Sequence, residues 1–97
     1  MLFTSGDRIV FTGDSVTDAG RGRPVGEGLW QGVGDGYVRT IDNILNVVYP
    51  DWRIWVSNTG TSGDTSRSLK KRWQEDVMNL KPDWVSLMIG INDIWRQ

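Results

Sequence analysis

Three short polar strings hold the groups from which acyl-transfer chemistry is assembled. Gly13-Asp14-Ser15, Asn58-Thr59-Gly60-Thr61-Ser62-Gly63-Asp64 and Gly90-Ile91-Asn92-Asp93 each follow a run rich in apolar residues. Transfer of an acyl group to water needs a hydroxyl nucleophile, donors aimed at the developing oxyanion, and a base. Ser15 offers the hydroxyl, and Gly13 permits a tight bend just before it. Gly63 can present its backbone N–H with no side chain in the way, and the Asn92 carboxamide is a second, neutral donor. The base is missing: a chain with 0 His cannot complete a Ser-His-Asp arrangement by itself. Each residue also has a plainer reading. Ser15 is a common type of helix cap or turn residue, Gly63 suits a turn that needs positive φ, and Asn92 can bond its own loop.

The elements that must position these strings read as follows. Residues 8–12 (RIVFT) form a short apolar, β-branched run, expected as a buried strand. A short helical turn can follow Ser15. Between positions 20 and 36, seven of the seventeen residues are Gly and one is Pro24, so the segment is a loop. Loops of this length are more often functional than idle. Tyr37, Val38, Ile41, Ile44, Leu45 and Val48 share one helical face, and Pro50 ends that helix. Residues 52–57 alternate as a strand with one polar-tolerant face near a sheet edge. Leu69, Trp73, Val77 and Leu80 define a second amphipathic helix, capped by Asp64 or Thr65 and closed before Pro82. Residues 84–89 (WVSLMI) form a third strand.

Strand, helix, strand, helix, strand predicts parallel pairing with right-handed crossovers, hence an α/β layered domain. In such a sheet the carboxyl ends of the strands share one rim, where ligands bind. All three polar strings fall on that rim. The third strand is apolar and leaves its far edge uncovered, so the 97 residues read as the N-terminal half of a larger domain. A complete three-stranded miniature is the competing expectation.

Composition narrows the function classes. An apolar and aromatic fraction of 38% is that of a globular chain with a core, and 11 basic against 12 acidic residues leave a net charge of -1. Nucleic acid and anionic membrane surfaces are not expected partners. With 0 Cys there is neither a disulfide framework nor a thiolate metal site. No membrane-span pattern or signal-peptide pattern is evident, so the expected compartment is the cytoplasm. A homo-oligomer stays open.

Other residues divide between structure and site. Asp14, Asp18, Asp64 and Asp93 read as acceptors that brace loops, although Asp14 is also a candidate substrate contact. Arg21, with Arg23 and Glu27, can line a substrate entrance. Trp30 and Trp95 lie beside rim loops, where they can stack on a sugar ring or pack inward, while Trp73 and Trp84 fit core positions. The G-x-G-x-G at 32–36 does not match a dinucleotide or phosphate-loop pattern. Lys70, Lys71 and Lys81 lie on or beside the second helix, away from the rim, and are poor substitutes for the missing base. Two readings compete with acyl transfer. One is a Mg²⁺-dependent, receiver-like or phosphoryl-transfer domain using Asp14 and Asp93 at two strand ends. The other is a non-catalytic assembly piece that pairs through its third strand.

The strings GDSVTDAGRGRP (13–24), NTGTSGDT (58–65) and GIND (90–93) resemble, in order and spacing, three signature blocks of the GDSL or SGNH hydrolase family. GDSVTDAGRGRPVGEG, GDGYV, SLKKRWQEDV and KPDWVSLMIGINDIWRQ are further similar to its bacterial carbohydrate esterases of the acetylxylan esterase type. The resemblance implies a three-layer α/β/α, flavodoxin-like fold, of which these residues form the N-terminal β-α-β-α-β part. It implies Ser15 as nucleophile, and an oxyanion hole made of the Ser15 and Gly63 backbone N–H groups and the Asn92 side chain. It also implies a short-chain ester or acetylated carbohydrate as substrate, with no cofactor. Family members take the catalytic Asp and His from a later D-x-x-H block, which these 97 residues do not contain.

Overall fold

A computed structural model describes residues 3–28 and 32–95. Its centre is β1 (Arg8–Gly13), flanked by β2 (Trp55–Asn58) and β3 (Trp84–Met88) in the order β2-β1-β3. Both pairings are parallel, with Val10 opposite Ser57 on one side and Val85 on the other. The helices are α1 (Ser15–Asp18), α2 (Tyr37–Val47), α3 (Ser66–Asp76) and α4 (Ile91–Trp95).

β1 is a near-continuous apolar run because it has neighbours on both edges and cover on both faces. Ile9 and Phe11 point to one face, where they cluster with Val38 of α2 and with Val33, Ile54 and Val56, and with the half-buried Ile41 and Leu45. Val10 and Thr12 point to the other face. There α3 buries Leu69 and, at its end, Val77, and its Arg72 donates to Thr12 Oγ1. Helices on opposite faces of a parallel sheet make three layers, as right-handed crossovers in opposite directions require. The order reverses at β1 and β3, so their carboxyl ends flank the crevice where open α/β sheets bind ligands.

Several boundaries differ from expectation. Residues 50–52 tighten into a 3-10 turn and Arg53 takes φ 52, so β2 starts only at Trp55. Trp52 therefore packs from a turn, stacked on Tyr49 with ring centroids 4.0 Å apart. α3 stops at Asp76, and a separate 3-10 turn, Met78–Leu80, carries the chain to Lys81. Ile44 on α2 and Val48, the cap residue just past its end, are exposed although both fall at core spacing. Trp84 is no core residue either: it lies on β3, exposed, with its ring edge against Phe3 and its Nε1 donating to Asp7.

The two outer edges are treated differently. At the carboxyl end of β2, Gly26 of the long loop makes a pair of backbone hydrogen bonds to Asn58, 2.9 and 2.8 Å, which covers that edge where it meets the rim. Among the described residues no strand pairs with the outer edge of β3, and Val85, Leu87 and Met88 are exposed. An apolar groove of about 320 Å³ runs beside it, lined by Phe3, Phe11, Ile41, Leu45, Trp84 and Val85 among others. No helix among the described residues is long and apolar enough to cross a membrane.

Candidate active site

At the end of β1, Gly13 lies against β3. A Cβ on it would stand 2.0 Å from the Met88 carbonyl oxygen, so only glycine lets the two strands meet here. Asp14 then caps α1, its side chain accepting from the Val16 N–H at 3.1 Å. With Asp14 in the cap, the Ser15 hydroxyl is left free: Ser15 is exposed, and its side chain has no hydrogen-bond partner among the described residues. Its backbone N–H, at the first position of α1, has no acceptor among them either.

The β2 loop forms the second side. Gly63 takes φ +83 as the third residue of the Thr61–Asp64 turn, closed by the Asp64 N–H on the Thr61 carbonyl at 3.2 Å. The turn reading of Gly63 holds, and its own N–H remains unengaged among the described residues. From the third side Asn92, in the first turn of α4, donates through Nδ2 to the Asp64 carbonyl at 3.0 Å. It bonds the β2 loop, not its own loop, and that bond occupies one of its two amide hydrogens.

The three loops are laced to one another. The Thr61 N–H donates to the Gly13 carbonyl at 2.9 Å, and the Ser62 N–H donates to Asp18 Oδ2 at 2.9 Å. Asp93 accepts from both the N–H and the hydroxyl of Ser66, contacts that lower its pKa. Burial alone would raise Asp18. The Arg23 guanidinium 2.7 Å away and the Ser62 donors outweigh that and bring its pKa down to about 2. Asn58, fully buried, ties β2 to the β1 side by donating to the Thr17 and Val33 carbonyls at 2.7 and 2.9 Å.

The four acids thus all brace loops, with Asp64 accepting from Arg72. Asp14 and Arg21, also read as substrate contacts, are only 3% and 6% exposed. The Arg21 guanidinium donates to the carbonyls of Gly60, Gly22 and Pro24, so its charge holds the loop instead of lining an entrance. Glu27 faces Arg8, Ser57 and the Trp55 indole at the sheet edge. Of that group only Arg23 keeps a half-exposed head beside the rim. Asp14 and Asp93, which the Mg²⁺ reading pairs, are each engaged in a different turn. Among the described residues no group of three or more acidic, His or Cys side chains is placed to hold a metal. Trp30 and the side chain of Trp95 lie outside the described residues.

Two residues of the site went unread in the sequence: Asn58, taken as the start of a loop, and Arg72. Arg72 sits in a run of charges that looks solvated, yet it falls three positions after the buried Leu69, on the inward face of α3. That phase was the available signal.

An exposed hydroxyl, two unengaged backbone N–H groups and a carboxamide on one rim are the parts with which a tetrahedral oxyanion is formed and held. The model of the GDSL-like Lipase/Acylhydrolase family matches residues 11–97. An acetylxylan esterase of Geobacillus stearothermophilus is 56% identical over all 97 residues, which span 44% of its length. The solved structure of Axe2, an acetylxylan esterase from that organism, superposes on 100% of this chain and 44% of its own with a TM-score of 0.96 at 56% identity. Catalytic mutants of Axe2 at a serine, an aspartate and a histidine have also been solved. LAE5, an alpha/beta hydrolase from the metagenome of Lake Arreo, matches at 50% identity and a TM-score of 0.92 over 98% of this chain and 44% of its own. This chain therefore spans less than half of the length of the relatives it matches, and it belongs to the GDSL-like lipase/acylhydrolase family.

Proposed function

We propose that these residues are the nucleophile and oxyanion half of a serine esterase that removes acetyl groups from carbohydrates such as acetylated xylan oligosaccharides. In this reading the Ser15 hydroxyl attacks the ester carbonyl. The negative charge that develops on the carbonyl oxygen is held by the Ser15 and Gly63 N–H groups and the second amide hydrogen of Asn92. A His supplied by the remaining part of an esterase-length chain takes the serine proton and hands it to the departing sugar oxygen, which leaves as a hydroxyl while the acetyl group stays on Ser15. Water then releases acetate by the same route in reverse. The His is required because this chain has none, and the Geobacillus esterase, whose catalytic mutants include a histidine, is longer.

The observation that carries the reading is a free serine hydroxyl on the same strand-end rim as two backbone N–H groups, of Ser15 and Gly63, that have no acceptor among the described residues. The substrate class rests on the acetylxylan esterase relative. The test uses the full-length protein that carries this chain, assayed on p-nitrophenyl acetate and on acetylated xylo-oligosaccharides. Turnover of both is expected, insensitive to EDTA, with Ser15→Ala lowering kcat by on the order of 10⁴-fold or more. The 97 residues alone should show no Ser15-dependent turnover. Hydrolysis that survives Ser15→Ala would overturn the proposal.

A further inference from the structure

We infer that Arg72 is the positioning residue for all three oxyanion donors, an inference that rests on the esterase reading above. Its guanidinium rises from α3 beneath the rim, with its side chain 16% exposed, bonds directly to the β1 and β2 loops and reaches the β3 loop through Asp64. Nη2 donates to the Gly13 carbonyl at 3.0 Å, two residues before Ser15. Nη1 donates to the Thr59 carbonyl at 2.7 Å, where the β2 loop begins. Nε donates to Asp64 Oδ2, and Asp64 is both the neighbour of Gly63 and the residue whose carbonyl holds the Asn92 carboxamide.

Each donor therefore stands one or two residues, or one hydrogen bond, from a group that Arg72 grips. The Gly13 carbonyl also accepts from the Thr61 N–H, so the β1 and β2 loops share an acceptor that the cation polarises. The fork explains why the residue is Arg: its planar head addresses several acceptors at fixed angles, whereas a Lys ammonium is a point charge on a flexible stem. Asp64 and Asp76 on either side balance the buried cation and fix its rotamer, which makes the clamp rigid before any substrate arrives. Arg72 itself lies below the loops and reaches the reaction only through them.

Preorganised donors act because they already point at the place where charge develops, and a misplacement of about 1 Å costs about 100-fold in rate. The experiment compares Arg72→Met and Arg72→Lys with wild type in the full-length protein that carries this chain. It reads kcat and KM on p-nitrophenyl acetate, and the inhibition constant of a boronic acid, whose tetrahedral serine adduct places an oxygen in the hole. Arg72→Met should lower kcat by about 100-fold with KM little changed. The boronic acid should weaken in parallel, and Arg72→Lys should recover part of both. Loss of folded enzyme alone would lower apparent kcat and leave the inhibition constant at its wild-type value, and that result overturns the inference, as does an unchanged kcat. Should Arg72→Met not fold, Arg72→Lys keeps the charge between the two aspartates and is judged by the same pair of quantities. A wild-type protein without Ser15-dependent turnover overturns the esterase reading and this inference with it; an active wild type with unaffected Arg72 variants overturns this inference alone.

Discussion

The strand-end rim and the outer side of β3 belong to the same small sheet and are opposite in kind. On and just below the rim, Thr12, Asp14, Thr17, Asp18, Asn58 and Thr59 are buried polar residues, and bonds of Thr12, Asp18 and Asn58 join segments far apart in sequence. Along β3, Val85, Leu87 and Met88 are apolar and exposed, with Ile91 and Ile94 continuing the patch onto α4. Buried polar groups are tolerated when nearly all are paired, and here, Asp18 Oδ1 and Thr59 Oγ1 apart, the buried side-chain polar atoms among the described residues find partners within the 97 residues. Apolar surface needs only cover, of whatever shape, and β3 has little. The rim is thus organised by this chain alone, while the sheet that carries it is left open on one side.

Replacing a rim donor separates catalysis from stability. If the proposed esterase reading holds, Asn92→Ala in the full-length protein that carries this chain should lower kcat on p-nitrophenyl acetate by about 100- to 1,000-fold, the usual effect of deleting one oxyanion donor. Its cost in urea unfolding should stay at about 1 kcal/mol, because a single neutral hydrogen bond to the Asp64 carbonyl is lost. If the stability loss were the larger effect, the rim would be scaffolding.

A smaller effect is expected one layer down, where the polar network is structural. Asp18 is buried, and its pKa falls from the ordinary 3.8 to about 2 on folding. A carboxyl whose folded pKa is depressed stabilises the native state above its unfolded pKa, and that contribution is lost as pH falls through the folded one. The fall from 3.8 to about 2 corresponds to about 2.5 kcal/mol. Urea titrations should therefore show Asp18→Asn less stable than wild type by about that amount at pH 7, with the gap closing between roughly pH 4 and pH 2. A gap independent of pH would mean that shape, and not the charge facing Arg23 and Ser62, does the holding.

How much of this was legible in the sequence follows from the same contrast. The strand order and the three rim strings were readable because β1 is an unbroken apolar run and the helices keep a helical period. Apolar periodicity marks what can be buried, however, and not what is: Ile44 and Val48 match the α2 face and still lie in solvent. β2 was read too long because Trp52 and Ile54 satisfy a period of two whether they stand on a strand or, as Trp52 does, on a 3-10 turn after Pro50. Polar partnerships were the least legible. Asp14 and Ser15 are both good capping residues, and only the geometry assigns the cap to Asp14 and frees the serine. Arg21 and Arg72 look like surface charges until their acceptors, carbonyls from distant loops, are in view.

The mildest substitution probes the other side of the comparison. Leu87 is 50% exposed on β3, so in the 97-residue chain Leu87→Ala removes methyl groups that already face water and should shift stability by no more than about 0.5 kcal/mol. In the full-length protein the same change tests whether β3 is covered. A leucine buried by further strands or helices costs about 2–5 kcal/mol on truncation, because both transfer free energy and a cavity are added. The difference between the two contexts measures how far β3 is covered in the full-length protein. Equal, small costs in both would mean that this face stays open in the full-length protein, and the contrast between a laced rim and an open sheet would then be a property of the whole.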